Sequence, residues 1–135
     1  MTKKTLKKLL CLKKSNIGIS CVTSYDASFA KLADESDIDI ILVGDSLGEV
    51  IKGMRNTHSV TVDDICYHTK NVSQGIKYAY LIVDMPINSY QTKKQALANA
   101  LKITKNGMAD MVKLESTPEQ INICLLYTSP SPRDR

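Results

Sequence analysis

The chain has 135 residues, 43% of them hydrophobic and 24% charged, with no tryptophan and a formal net charge of +4. That describes at most one domain of ordinary globular composition, long enough to bury a core. Its longest apolar runs are about five residues, against the roughly 20 that a membrane-crossing helix needs, and the basic N-terminus lacks the apolar stretch and small-residue cleavage site of a secretory signal.

The charge is unevenly placed. Lys3, Lys4, Lys7, Lys8, Lys13 and Lys14 crowd the first fourteen residues, where there is no acid, whereas Ser15 to Ile123 carry ten bases and thirteen acids, a net of −3. A mildly acidic body argues against nucleic-acid binding. The lysine run, interleaved with Leu6, Leu9, Leu10 and Leu12, predicts a short amphipathic helix with a solvated basic face. Cysteines stand at 11, 21, 66 and 124, with no CxxC spacing and no histidine at zinc-ligand distance. Cys21 and Cys66 lie in apolar periodic segments and read as small buried hydrophobes, consistent with a reducing, cytoplasmic setting.

Beyond that helix, strand and helix patterns alternate. Ile17 to Tyr25 is strand-like, and Ala27 to Glu35 is helical with Asp26 as N-cap. Ile38 to Val43 is a continuous apolar strand, followed by a loop that holds Gly48, Gly53, Arg55 and Asn56. Thr61 to Gly75 reads as a helix, with Asp63 and Asp64 in its first turn and Gly75 as its stop. Ala79 to Val83 is a third buried strand ended by Pro86. Thr92 to Lys105 is helical, with Thr92 as N-cap and Gly107 at the far end, and Asp110 to Leu114 is a fourth short strand. Residues 124–135, CLLYTSPSPRDR, follow no period; CLLYTSPSPRD resembles the translation of a transposase-type sequencing adapter, so they are read as an artefactual, unstructured tail behind a domain of residues 1–123.

Strands this apolar are covered on both faces, which predicts a parallel sheet layered with helices. An open doubly wound sheet and a piece of a (β/α)₈ barrel both satisfy the pattern. No GxGxxG follows the first strand and no P-loop occurs, which weakens the nucleotide-binding folds.

Each apolar run ends on a carboxylate: Asp26, Asp45, Asp84 and Glu115. In parallel α/β folds that edge is where substrates bind. Asp26 is accounted for as a helix cap. Three further acids at one edge repel one another unless a counter-charge is present, and a divalent cation would supply it. Oxygen donors without cysteine or histidine suit a hard ion, Mg²⁺ before Zn²⁺. Lys113 lies two residues before Glu115, on the same face of its strand. A cation plus a lysine makes a receptor for an anionic, oxygen-rich substrate.

The tetrapeptide Gly44-Asp45-Ser46-Leu47 also spells a serine-esterase motif, which requires a histidine base beside Ser46. Only two histidines exist. His68 falls within a predicted helix, four residues after Asp64, where an i, i+4 contact accounts for it. His58 sits in the loop, and nothing in the pattern places it beside Ser46.

The motifs TSYD (23–26), VGDSLG (43–48), THSVTVDD (57–64), YHT (67–69), DMP (84–86) and VKLE (112–115) occur in this order and at spacings that resemble the ketopantoate hydroxymethyltransferase (3-methyl-2-oxobutanoate hydroxymethyltransferase) family, over roughly Lys8 to Glu115. The resemblance implies the N-terminal half of a (β/α)₈ TIM barrel, about four βα units preceded by a short helix. It also implies a one-carbon transferase of pantothenate biosynthesis, which uses Mg²⁺ and 5,10-methylenetetrahydrofolate to turn 3-methyl-2-oxobutanoate (α-ketoisovalerate) into ketopantoate. Carried over by residue, Asp45, Asp84 and Glu115 are the expected metal carboxylates, Glu115 through water. Asp45, Ser46, Asp84 and Lys113 are the expected substrate-binding groups, while Tyr67 and His68 are structural. Ser116 stands where the family usually has glycine.

The family's glutamate base lies in the second half of the barrel, so no catalytic base is expected in this sequence. The family is a homo-oligomer, typically a decamer. A complete barrel takes roughly 250 residues, so the fragment is expected to be inactive alone and, with its outer strands unpaired, poorly soluble. Two other readings stand beside this one: a Mg²⁺-dependent carbon–carbon lyase of a related keto-acid barrel, and a non-catalytic gene remnant.

Overall fold

The computed structural model describes residues 1–115, 117–121 and 123; the reading of 124–135 as a tail lies outside the described residues. Four strands, β1 (Cys21–Thr23), β2 (Ile40–Val43), β3 (Tyr80–Asp84) and β4 (Met111–Lys113), pair in parallel in the order β1-β2-β3-β4. Five α-helices are described: α1 (Leu6–Lys14), α2 (Ala27–Glu35), α3 (Leu47–Val50), α4 (Val62–Gly75) and α5 (Lys93–Asn106). The crossover helices α2, α4 and α5 pack side by side, α2 on α4 and α4 on α5, and so form one layer over one face of the sheet. Strand order that never reverses, with its helices on a single side, is the winding of a barrel and not of a doubly wound sheet.

The side-chain period of two sorts the strands into faces. Ile41, Val43, Leu81 and Val83 are at most 2% exposed and meet Ala30, Ile65, Val72, Ala96 and Ile103 from the helix layer. The alternate set is Cys21 and Thr23, Ile40 and Leu42, Tyr80, Ile82 and Asp84, Met111 and Lys113. It takes the opposite face, which in a barrel is the interior. Strand β1 is shorter than its sequence pattern predicts: Ile17 and Ile19 are exposed and outside the ladder, although Ser24 N–H still donates to the Leu42 carbonyl at 3.1 Å. Cys66 is buried as expected, but Cys21 is exposed. It lies on an outer strand of the described sheet, on the face turned away from the helices.

The helix boundaries follow their caps. Asp26 accepts from the N–H groups of Ser28 and Phe29 at 2.8 and 2.9 Å, and Thr92 accepts from Gln95 N–H. Thr61 and Asp64 form a reciprocal capping box at the start of α4. Helix α3 was not legible in the loop pattern. Gly75 acts differently from the expected stop signal. It is the last residue of α4, and a Cβ there would lie 2.3 Å from the Ala27 carbonyl oxygen and 2.8 Å from Lys31 N, so glycine permits α4 to touch the backbone of α2.

The N-terminal lysines divide. Those within α1 are solvated, but Lys3 and Lys4 precede the helix and reach under the sheet. Lys4 is buried, with Nζ 2.9 Å from Asp39 and 3.1 Å from Asp37, while Lys3 Nζ bonds the Ala79 carbonyl and Asp110.

Two outcomes follow for stability. Gly75→Ala forces backbone apart at the α2–α4 contact and should destabilise the chain by about 1–3 kcal/mol, whereas Gly18→Ala, with nothing within 4 Å, should leave it unchanged; urea denaturation followed by circular dichroism distinguishes them.

The second concerns Asp64. Burial alone would push its carboxyl up, but the Lys52 ammonium and the two Thr61 donors outweigh that and hold it at about 2. A folded-state value below the unfolded one, about 3.9, stabilises the fold above that value and stops doing so as pH falls through about 2. Stability measured from pH 5 to 2 should therefore decline, and Asp64→Asn should flatten that part of the curve.

Candidate active site

Where the strands end, the inner-face residues continue into the loops. β1 delivers Tyr25, β2 delivers Gly44, β3 ends on Asp84, and β4 delivers Lys113 and then Glu115. Asp84 and Lys113 are register partners across β3 and β4. Together with Asp45, His58 and Tyr90 they line one pocket of about 230 Å³ at the C-terminal mouth of the sheet. Of the sequence-predicted site residues, Asp45, Asp84, Lys113 and Glu115 all line this pocket. Ser46 flanks it. A Cβ on Gly44 would lie 2.8 Å from Ser46 Oγ and 3.4 Å from Asp84 Oδ2, so both side chains crowd the same glycine.

Asp84 is the buried charge of the site, 7% exposed. Its Oδ2 receives a long bond, 3.4 Å, from Asp45 N–H. Its Oδ1 lies 2.9 Å from Lys113 Nζ but accepts no aligned hydrogen bond, so that contact acts through charge more than through direction. Burial pushes the Asp84 carboxyl up; Lys113 and the Asp45 amide partly offset it, and the negative charge of Asp45 adds to it. Burial works against the Lys113 ammonium, but Asp84 and then Glu115, at 3.4 Å, hold its pKa above the ordinary lysine value. The Tyr90 hydroxyl donates to the Glu115 carbonyl at 2.7 Å, and burial with the surrounding acids pushes that phenol up.

Lys113 is thus the counter-charge to two of the three acids. Among the described residues no group of three carboxylate, imidazole or thiolate side chains is placed to hold a metal ion. The Glu115 side chain is 80% exposed and turned to Lys113. Asp45 and Asp84 remain, the second buried and held by one long amide bond and the Lys113 ammonium. That pair fits a hard cation that takes one or two carboxylates and fills the rest of its shell with water or substrate oxygens, as Mg²⁺ does.

The esterase geometry is not assembled. Ser46 Oγ meets the Tyr25 phenol at 2.6 Å, not an imidazole. His68 does not pair with Asp64 as its spacing predicts; its Nδ1 bonds the Tyr25 carbonyl at 2.8 Å, and Asp64 is engaged by Thr61 and Lys52. His58 reaches the pocket wall. Tyr90 and the contact of Tyr25 with Ser46 went unread in the sequence. The signal for Tyr25 was its parity with Cys21 and Thr23, which carries it to the inner face; Tyr90 sits in a loop where no periodicity applies.

The family model described as Ketopantoate hydroxymethyltransferase matches residues 3–127. Relatives named 3-methyl-2-oxobutanoate hydroxymethyltransferase include that of Pseudoalteromonas atlantica, 49% identical over 115 residues that make up 85% of this chain and 43% of the relative. The Nitrosococcus oceani relative is 47% identical over 85% of this chain and 44% of its own length. The Methylococcus capsulatus relative is 44% identical over 92% of this chain and 46% of its own length. The chain therefore spans less than half the length of these curated relatives. Among solved structures, 2,3-dimethylmalate lyase, a PEP mutase/isocitrate lyase superfamily member, superposes with a TM-score of 0.62 over 84% of this chain and 40% of the lyase, at 14% identity. At that identity the likeness concerns the fold alone, and it agrees with a four-stranded parallel sheet as part of a (β/α)₈ barrel. With a family match over nearly the whole chain, and with its motifs gathered at one mouth of that partial barrel, the chain belongs to the ketopantoate hydroxymethyltransferase family.

Proposed function

We propose that the mouth of the sheet binds 3-methyl-2-oxobutanoate together with Mg²⁺, as the part of a hydroxymethyltransferase that holds the keto acid while a one-carbon unit arrives from 5,10-methylenetetrahydrofolate to give ketopantoate. The observation that carries this reading is the buried Asp84, held only by one long amide bond and the Lys113 ammonium, in a pocket shared with Asp45 and Lys113. A buried, under-satisfied carboxylate costs stability unless a ligand completes it. Pantothenate biosynthesis in the cytoplasm and a homo-oligomeric complete enzyme belong to the same proposal. What stands independently is that, among the described residues, no helix is long and apolar enough to cross a membrane.

In this reading Asp45 and Asp84 hold the cation. When bound, a divalent ion supplies Lewis acidity toward a keto oxygen. The chain's own groups do the rest of the binding. Lys113 faces an anionic substrate with its ammonium, kept charged by Asp84 and Glu115. Ser46 offers a hydroxyl to a carboxylate oxygen. As the C3 proton leaves and negative charge grows on the keto oxygen, a fixed ammonium nearby stabilises that charge without reorganising. Tyr90, through the Glu115 carbonyl, fixes the wall on which Lys113 and Glu115 meet. The proton acceptor and the folate pocket are assigned to the complete enzyme, so this chain is expected to bind without turnover.

Isothermal titration of 3-methyl-2-oxobutanoate tests the reading. Binding should require Mg²⁺, and Asp84→Asn should weaken it by at least about tenfold, the loss of one charged contact. Ser46→Ala should weaken it less and leave Mg²⁺ dependence intact. Keto-acid binding that ignores both a chelator and Asp84→Asn would falsify the assignment.

A further inference from the structure

Tyr25 lies two residues beyond β1, is 9% exposed, and is tied at both ends. Its carbonyl accepts from His68 Nδ1 on α4 at 2.8 Å, and its phenol oxygen lies 2.6 Å from Ser46 Oγ. Ser46 occupies the N-cap position of α3 yet makes no side-chain capping bond. Its hydroxyl turns instead over Gly44, toward the side of that glycine where Asp84 also lies. A capping serine has extended backbone angles, whereas Ser46 is helical at φ −53° and ψ −12°, so its hydroxyl is left to the phenol.

Two hydroxyls at 2.6 Å share one proton along their contact. Phenols are more acidic than alkanols, so the stronger bond has Tyr25 donating and Ser46 accepting. That direction leaves the Ser46 proton free to point outward, and a hydroxyl that accepts one bond becomes a better donor in the next. We propose that Tyr25 is a positioning residue whose phenol donates to Ser46 Oγ and thereby directs the Ser46 hydroxyl as a donor to an anionic oxygen of the bound 2-oxo acid. This rests on the reading above, in which Ser46 holds the keto acid. His68 serves the same end by fixing the backbone from which Tyr25 projects.

The 135-residue chain is titrated with 3-methyl-2-oxobutanoate in Mg²⁺ buffer as wild type, Tyr25→Phe, Ser46→Ala and the double variant. Each single change should weaken binding by about five- to tenfold. The double should bind no more weakly than Ser46→Ala alone, since the phenol acts only through Ser46. Additive losses would mean that Tyr25 merely supports the fold, and would overturn the inference; so would wild-type affinity in Tyr25→Phe beside a weakened Ser46→Ala, and the keto-acid reading would survive in both cases. Wild-type affinity in Ser46→Ala, or no binding by the wild type, would remove that reading and the inference with it.

Should Tyr25→Phe fail to fold, 3-fluorotyrosine at all six tyrosines makes the phenol a stronger donor. Binding should then tighten in the wild-type background and stay unchanged in Ser46→Ala. An equal shift in both backgrounds sinks the proposal.

Discussion

Ile41, Val43, Leu81 and Val83 are buried under the helix layer, and because a strand's side chains alternate between faces, the register of β2 against β3 leaves Gly44 and Asp84 no choice of side. A slip of one residue in β3 would turn Asp84 under the helices and Leu81 and Val83 away from them. The hydrophobic core therefore acts on the site at a distance. It sets the pairing Val43↔Val83, which sets where β3 ends. The next step of the ladder, Asp84↔Lys113, brings the ion pair together across β3 and β4. Every polar group at the mouth inherits its position from apolar side chains one layer away.

Helices with local signals were legible in the sequence, because caps act within three residues. Asp26, Thr61 and Thr92 each start the helix assigned to them, and three of the strand-end acids, Asp45, Asp84 and Glu115, line one pocket. What was not legible depends on contacts far apart in sequence. Nothing near Ile17 and Ile19 tells that the ladder of β1 begins only at Cys21. Gly75 resembles a helix stop, and only the approach of Ala27 and Lys31, more than forty residues earlier, reveals a packing glycine. Lys3 and Lys4 look like their solvated neighbours until Asp37, Asp39 and Asp110 arrive beneath them. For the site itself, strand parity identified Lys113 and Glu115 as sharing a face but could not say that the lysine, turned to both Asp84 and Glu115, would be the counter-charge that the pattern assigned to a cation.

The two ends of the sheet treat buried acids in opposite ways. At the N-terminal end, Asp34 accepts from three successive backbone N–H groups, those of Lys77, Tyr78 and Ala79, at 2.9, 3.0 and 2.7 Å. Asp39 accepts from the Ser20 N–H and hydroxyl and pairs with Lys4; burial works against its charge, but these partners outweigh it and lower its pKa. Asp110, which is exposed, also accepts from Leu81 N–H and pairs with Lys3. At the C-terminal end, Asp84 is as deeply buried, yet one oxygen receives only a long amide bond and the other an ammonium out of line. Its pKa moves up where that of Asp39 moves down.

The asymmetry is physical before it is functional. A carboxylate satisfied by backbone amides has spent its lone pairs on holding strands in place and has little left for a ligand. Asp84 is held by one long amide bond and the Lys113 ammonium, fewer donors than Asp34 or Asp39 receive, while the contacts of Asp34, Asp39 and Asp110 pin all four strands at their starts. The same four strands can thus be rigid at one edge and receptive at the other, which matches the general division of a barrel between a stabilising face and a reactive one. In that arrangement the lysines ahead of α1 belong to the stabilising face, through Asp39 and Asp110. They hold the strands from below, so that the residues above can be chosen for what they bind.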